Sequence, residues 1–371
     1  MIPLSLYIHL PWCVKKCPYC DFNAHPIEKS ADFSSYIAHI IADLDTYKDS
    51  LTNRKLTSIF IGGGTPSLFP PETLAPLFDA IRQYQSIQDI EVTIEANPGS
   101  QDCGYYMGYH QLGINRISIG GQSFNQRLLS EIGRAHNTQM THEAILQAKQ
   151  AGFQRINLDI MYGLPSQSVQ ESLDDLQTFI DYQLEHLSWY QLNIEANTLF
   201  AVKQPTLPPQ DDIDAMDGQG AILLSKYGYK QYEISAWSNN QPALHNINYW
   251  HFGDYIGIGS GAHSKLTQSN PYEIVREIKH KHPKAYLKKH LQHREVITGS
   301  DLILEYAINH FRTKYPAILS HFEYRTGLHR NALIKALAPA EDAGFVQIDN
   351  ERIYLTNKGF QFHNALLLSI K

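Results

Sequence analysis

Short apolar, β-branched runs alternate with helical patterns through the first half of the chain, and this alternation leaves few folds open. The runs are Leu4–Leu10, Thr57–Gly64, Glu91–Pro98, Arg116–Ser123, Arg155–Pro165 and Leu187–Glu195. Between them, Ile37, Ile40, Ile41 and Leu44 recur at i, i+3, i+4 and i+7, as do Leu74, Leu77, Phe78 and Ile81, the spacing of an amphipathic helix. Ser168 and Glu171 form a capping box ahead of Leu173, Leu176 and Ile180. Strands alternating with helices at these spacings predict βα units and a parallel sheet, either a barrel or an open one. Pro205–Pro209 then breaks the rhythm.

Each run ends in side chains able to do chemistry: cysteines after the first, then Gly62–Thr65, Glu95, Gln122, Asp159 and the Gln191/Asn193 pair. Both barrels and open α/β sheets hold ligands at the carboxyl ends of their strands. Any one of these residues serves equally well as a strand cap bonded to loop backbone. Hydrophobic residues make up 43% of the 371 and aromatics 11%, enough for a sizeable core. A net charge of −6 gives no basic footprint, so no nucleic-acid partner is expected. No apolar run approaches the ~18 residues of a membrane span. The stretch Met1 to Trp12 lacks Lys and Arg, is broken by Pro3, His9 and Pro11, and does not read as a signal peptide. A cytoplasmic protein is expected.

Three of the four cysteines, Cys13, Cys17 and Cys20, fall within eight residues, while Cys103 stands apart. Clustered thiols fit metal binding better than a disulfide framework, and thiolates suit iron–sulfur clusters, zinc or copper. Three on one loop can hold three corners of a [4Fe–4S] cube. Full ligation ordinarily uses four cysteines, so one iron is left for an aminocarboxylate such as the methionine end of S-adenosylmethionine. A closed Cys3His zinc site completed by His9 or His25 is the competing reading, and Cys17-x-x-Cys20 also reads as a thiol–disulfide couple. Gly62-Gly63-Gly64-Thr65-Pro66 is neither a Walker loop nor a G-x-G-x-x-G turn; it permits close backbone approach to a ligand's polar head, or simply a tight turn. Glu95 can pair with an ammonium or accept from ribose hydroxyls. The planar fork of Arg134 suits a carboxylate, and Gln122 and Asp159 add hydrogen-bonding capacity.

Cys13-x3-Cys17-x2-Cys20, with Tyr19 just before the third cysteine, resembles the radical S-adenosylmethionine superfamily. Tyr7–Cys13 (YIHLPWC), Cys17–Phe22 (CPYCDF), Gly62–Pro66 (GGGTP), Asn115–Gly120 (NRISIG) and Asp159–Pro165 (DIMYGLP) narrow the likeness, which covers nearly the whole chain. They resemble oxygen-independent coproporphyrinogen III oxidase and its relatives, most closely the HemW-type haem-chaperone branch. The resemblance implies a partial six-stranded (β/α)6 barrel, cluster ligands Cys13, Cys17 and Cys20, and S-adenosylmethionine contacts from Tyr7, Tyr19, Gly63, Gly64, Thr65, Glu95, Gln122, Arg134 and Asp159. Some of these positions serve a second S-adenosylmethionine in the oxidase.

Two features separate the branches. The oxidase carries a further cysteine two residues after the third, where Phe22 stands here, and a long N-terminal extension, where twelve residues precede Cys13. His245–Trp250 (HNINYW) matches the H-N-x-x-Y-W stretch of the chaperone branch, which ties His245 to haem; Tyr249 and Trp250 could cover a flat macrocycle. The resemblance therefore implies haem as ligand and acceptor haem proteins of the respiratory chain as partners, with peripheral membrane association open. Porphyrinogen decarboxylation is the alternative. The middle glycine of Gly120-Gly121-Gln122 replaces an apolar residue usual in the family and is expected to loosen the strand end.

Residues 1–205 are expected to form the core, 206–295 a connecting and haem-associated region, and 296–371 a smaller mostly helical domain. In the connecting region Gln210–Tyr229 reads as a helix and Tyr255–Ser264 as a Gly-rich strand and turn. Lys279–Arg294, basic and His-rich, reads as a solvated face. Helical stretches Asp301–Arg312, Ile318–Thr326 and Asn331–Ala343 precede Phe345–Thr356, where Asp349–Asn350 supports a tight turn. Helices followed by a β-ribbon predict a winged-helix-like domain in a packing or lid role.

Overall fold

The six runs become six parallel strands joined side by side in sequence order: β1 (Leu4–Leu10), β2 (Leu56–Gly63), β3 (Glu91–Ala96), β4 (Arg116–Gln122), β5 (Arg155–Tyr162) and β6 (His186–Gln191). The computed structural model describes residues 2–28, 31–99, 103–269 and 272–370. A strand order that advances without reversal is the arc of a barrel rather than the switch of a doubly wound sheet. Among the described residues the arc does not close. The outer side of β6 takes an antiparallel pair, β7 (Lys230–Glu233) and β8 (Ala236–Ser238), with β8 next to β6. The free side of β1 takes β9 (Asp254–Ile258) in parallel, followed by antiparallel β10 (His263–Ser269), β11 (Tyr272–Lys279) and β12 (Leu291–Ile297). Among the described residues the sheet thus has twelve strands, twice the number in the expected arc.

Local signals set the helices. Asp32 caps α1 (Phe33–Asp45) by accepting from the Ser35 N–H, and its Ile37, Ile40 and Leu44 are buried. In α2 (Pro71–Tyr84) the buried set includes Leu74, Leu77, Phe78 and Ile81. Asn137 caps α3 (Thr138–Gln150), and the Ser168–Glu171 capping box opens α4 (Val169–Asp181). Each buried Leu, Ile or Phe contributes roughly 1.5–3 kcal/mol, so these stripes pin helices onto the outside of the arc.

The opposite face of the arc is polar at every second residue. Ser5, Tyr7 and His9 on β1, Ser58 on β2, Glu91, Thr93 and Glu95 on β3, Arg116 and Ser118 on β4, and Asn157 and Asp159 on β5 all alternate with buried aliphatic residues. Strand side chains two apart share a face. These groups bond across the strands: Ser5 Oγ to Ser58 Oγ at 2.8 Å, Asn157 Nδ2 to Ser118 Oγ at 2.7 Å, and His186 Nδ1 to Asn157 Oδ1 at 2.6 Å.

The connecting region contributes α5 (Gln210–Lys226) and α6 (Leu244–Trp250). Beyond it, α7 (Gly299–His310), β13 (Ala317–Ile318), α8 (Leu319–Thr326), α9 (Arg330–Asp342) and a hairpin of β14 (Val346–Ile348) and β15 (Arg352–Leu355) follow the element order of a winged helix. At its turn Asp349 Oδ1 accepts from the Glu351 and Arg352 N–H groups. Leu302, Tyr306, Phe322, Leu333, Leu337 and Ile353 form a second core, and Phe252 and Ile274 of the connecting region join it.

Three local expectations are corrected. Strand β6 stops at Gln191, so Leu192–Glu195 is loop, where the chain turns toward Thr198 and the short helix it caps. At Gly120–Gly121 the β4–β5 register shifts rather than merely loosening. Lys279–Arg294 is only partly a solvated face: Lys279 Nζ pairs with the buried Asp43 at 2.6 Å, and the buried Tyr286 hydroxyl donates to the same carboxylate at 2.8 Å. A carboxylate enclosed in the core requires such partners.

Candidate functional site

The cysteine loop is closed by its own backbone. Trp12–Cys13 pairs in parallel with His25–Pro26, the His25 N–H donates to Pro11 C=O at 2.7 Å, and the Ile27 N–H donates to Cys13 C=O at 2.9 Å. Within the loop the Cys20 N–H donates to Cys17 C=O at 3.1 Å. Cys13 is buried while Cys17 and Cys20 are half-buried. Burial, with Cys20 and Cys17 adding to it, pushes the Cys13 thiol up to about 11, and burial raises Cys20. Arg134 Nη1 lies 3.6 Å from Cys17 Sγ. That guanidinium is fixed by Gly120 C=O at 2.7 Å and by Asn97, and it sets a permanent positive charge against the sulfur.

The loop does not form a closed single-ion site. Among the described residues no three or more His, Cys, Asp or Glu side chains converge on one ion. His9 is committed at both nitrogens, Nδ1 to Tyr7 Oη and Nε2 to Asn23 C=O, each at 2.9 Å. The donor set is three thiols on one loop, which suits a cube with one corner left over.

Beside the loop opens a cavity of about 470 Å³, within the range of ligand sites. Tyr7, His9, Gly63 and Glu95 line one side, Phe22 and Asn23 the loop side, and Tyr249, Trp250, Tyr255 and His263 the far wall. Glu95 is the most informative of these. Its Oε2 accepts from the Gly63 N–H at 3.0 Å. Desolvation, then the nearby Asp159 charge, pushes its carboxyl up to about 8. No cation among the described residues offsets that burial. A carboxylate facing a cavity without a countercharge is complementary to an ammonium.

The glycine run has a packing origin. A Cβ on Gly63, whose φ is +127°, would stand 2.6 Å from Leu10 C=O, and one on Gly64 would stand 2.5 Å from Trp12 C=O. The Gly64 and Thr65 N–H groups donate to those carbonyls at 2.8 and 2.7 Å. The glycines therefore let the end of β2 clasp the end of β1 just where the cysteine loop begins. Gly64→Ala is expected to shift that loop and destabilise the protein by about 1–3 kcal/mol, measurable as a lower urea midpoint together with reduced iron uptake.

The remaining residues expected at the site fall into three groups. Tyr19 packs on Phe200 at the cysteine loop, its phenol raised by burial despite the Arg134 charge. Gln122, at φ +68°, accepts from Tyr190 Oη at 2.8 Å, and Asp159 sits inside β5, accepting from Asn157 Nδ2 at 2.7 Å; both belong to the polar face of the arc. His245 stands apart from the cavity lining. It is 6% exposed, its Nδ1 lies 3.1 Å from Glu91 Oε1, and its ring packs against Phe60 with centroids 4.1 Å apart. Sequence reasoning missed Asn23, Tyr255, His263 and Asn309. The signal for two of them was present in Tyr255–Ser264, where a strand and a Gly-rich turn carry Tyr255 and His263 at either end.

Residues 7–179 match the radical SAM superfamily and residues 297–362 the HemN C-terminal domain. The chain is 44% identical to the heme chaperone HemW of Haemophilus influenzae, over 98% of this chain and 97% of that protein. It is 41% identical to the heme chaperone HemW of Escherichia coli, again over 98% and 97%. The solved structure of coproporphyrinogen III oxidase (HemN) from Escherichia coli, a radical SAM enzyme, superposes with a TM-score of 0.83 over 99% of this chain and 90% of that one. At 21% identity it establishes the shared fold alone. With relatives above 40% identity along their full length and a cysteine loop and strand arc of the same superfamily, the chain belongs to the HemW family of radical SAM proteins.

Proposed function

We propose that this chain is a haem chaperone that binds haem beside a [4Fe–4S] cluster and passes it to acceptor haem proteins, those of the respiratory chain included. The observation that carries the reading is one cavity bounded by the cysteine loop on one side and by Tyr249, Trp250 and Tyr255 on the other. Aromatic side chains of that kind supply apolar surface on which a macrocycle can pack. Cys13, Cys17 and Cys20 would hold the cluster, which when bound supplies one-electron chemistry and an open iron for the aminocarboxylate of S-adenosylmethionine.

The chain's own residues prepare the site. Glu95, steadied by the Gly63 N–H, receives the ammonium. Arg134 holds the loop through Cys17, Gly120 and Asn97. Phe22, 64% exposed at the cavity mouth, presents an apolar ring where a further thiol would stand in the oxidase.

His245 supports haem binding through the helix whose first turn it occupies. Glu91 accepts from the Leu244 and His245 N–H groups at 3.0 and 3.1 Å and pairs with Arg155 at 2.6 Å. Burial opposes ionisation of Glu91, yet the His245 hydrogen bond and the Arg116 and Arg155 charges outweigh it and hold the carboxyl well below the usual range. Burial keeps His245 itself neutral, so its Nδ1–H donates to the carboxylate and fixes the start of α6, which carries Tyr249 and Trp250. His245→Ala is expected to weaken haem binding about tenfold, roughly one lost charge-assisted hydrogen bond, as read by haem titration.

The deciding experiment titrates anaerobically reconstituted protein with haem and follows its transfer to an apo-haem protein. Stoichiometric uptake and transfer are expected. Failure to bind haem, or release of carbon dioxide from a porphyrinogen with S-adenosylmethionine under reducing conditions, would replace the chaperone reading with oxidative decarboxylation.

A further inference from the structure

We propose that His263 is the side chain that meets haem iron in the cavity, an inference that rests on the haem reading above. Of the imidazoles near the site, His25 bonds through Nε2 to Asn23 Oδ1 at 3.3 Å, and two more are committed. His9 is bonded at both ring nitrogens, and His245 sits behind Phe60 with its Nδ1 on Glu91. His263 lines the cavity and is exposed; among the described residues neither of its ring nitrogens makes a hydrogen bond.

Its backbone is rigidly placed. His263 opens β10 directly after the Gly259–Ala262 turn and pairs with Ile278. β9 approaches it so closely that a Cβ on Gly257 would stand 2.0 Å from its carbonyl. The imidazole is thus a free donor on a fixed strand, facing the wall of Tyr249 and Tyr255, whose rings meet edge to face with centroids 5.0 Å apart. Desolvation, helped by Arg276 and Lys281, lowers the pKa of His263, which keeps a lone pair available.

The surroundings select the kind of metal. A bare divalent ion requires several protein ligands, and no group of three or more His, Cys, Asp or Glu converges there among the described residues. Haem iron brings four ring nitrogens of its own and takes one or two axial ligands from protein. A single unbonded imidazole among aromatic rings meets that requirement.

The test uses full-length protein with its cluster reconstituted, titrated with ferric haem and followed by the Soret band and by ferric-haem EPR. His263→Ala, which removes no hydrogen bond and fills no core position, is expected to weaken haem binding about tenfold or more and to change both spectra. Added imidazole should restore the wild-type spectra by occupying the vacated position. His245→Ala is expected to lower affinity while keeping the wild-type ligation spectrum, since it acts through α6. If wild-type protein binds haem but His263→Ala binds it with unchanged affinity and spectra, His263 is not the ligand and the chaperone reading survives. If wild-type protein takes up no haem, both fall together.

Discussion

Single replacement of Cys13, Cys17 or Cys20 by Ala is expected to abolish the iron–sulfur chromophore and, with it, any change in the reduced protein's EPR signal on adding S-adenosylmethionine. Three thiolates are the minimum that holds a cube with one open corner, so losing one leaves two corners without protein ligands. The fold should persist. The loop is closed by main-chain bonds from His25 to Pro11, from Ile27 to Cys13 and from Cys20 to Cys17, none of which involves a sulfur. Iron and acid-labile sulfide should therefore drop at least about tenfold while far-ultraviolet circular dichroism stays unchanged. Cys103, buried away from the loop, is the control: Cys103→Ala should retain the chromophore. A cluster-bearing variant lacking any one of the three would refute the assignment.

Glu95→Gln should separate binding from stability. In the ligand-free protein the Glu95 carboxyl titrates at about 8 rather than its ordinary 4.5, because it is desolvated and faces Asp159. Between those values the unfolded chain is ionised while the folded one keeps its proton. The residue therefore costs stability as pH rises from about 4.5 to about 8. Glutamine removes that cost, so the variant should unfold at a higher temperature at neutral pH and differ little from wild type near pH 4. Binding should move the other way. An ammonium requires the carboxylate, and below pH 8 the proton must leave first. Wild-type affinity for S-adenosylmethionine should rise with pH up to that point, by at most about tenfold per unit, and then level off. The variant should bind more weakly by tenfold or more, about the worth of one desolvated ion pair, and should lose the pH dependence. Equal affinity in the variant would remove Glu95 from the ligand set.

Much of the core was legible in one dimension. The helix stripes at Ile37–Leu44 and Leu74–Ile81, the Ser168–Glu171 box and the Asp349 turn all act over a few residues, so spacing suffices to read them. The clustered cysteines are legible for the same reason, since one loop carries all three. The polar alternation Ser5-Tyr7-His9, Glu91-Thr93-Glu95 and Asn157-Asp159 was equally visible as a period of two, yet its meaning depended on knowing which face of each strand lines the arc. The sixth strand was read too long because Leu192 and Ile194 are apolar for reasons of loop packing. Lys279 was read as solvated because its partner, Asp43, is 236 residues away.

Sequence alone determined the βα order, the cluster loop and the family, since each is written in contacts between near neighbours. Tertiary structure alone decided that the arc stays open among the described residues, that β9 docks on β1, and that His263 and Tyr249 therefore face Glu95 across one cavity while His245 is drawn behind Phe60. Those outcomes follow from strand register and burial between segments some 150 to 250 residues apart, and long-range pairing leaves no local periodicity from which it could be read.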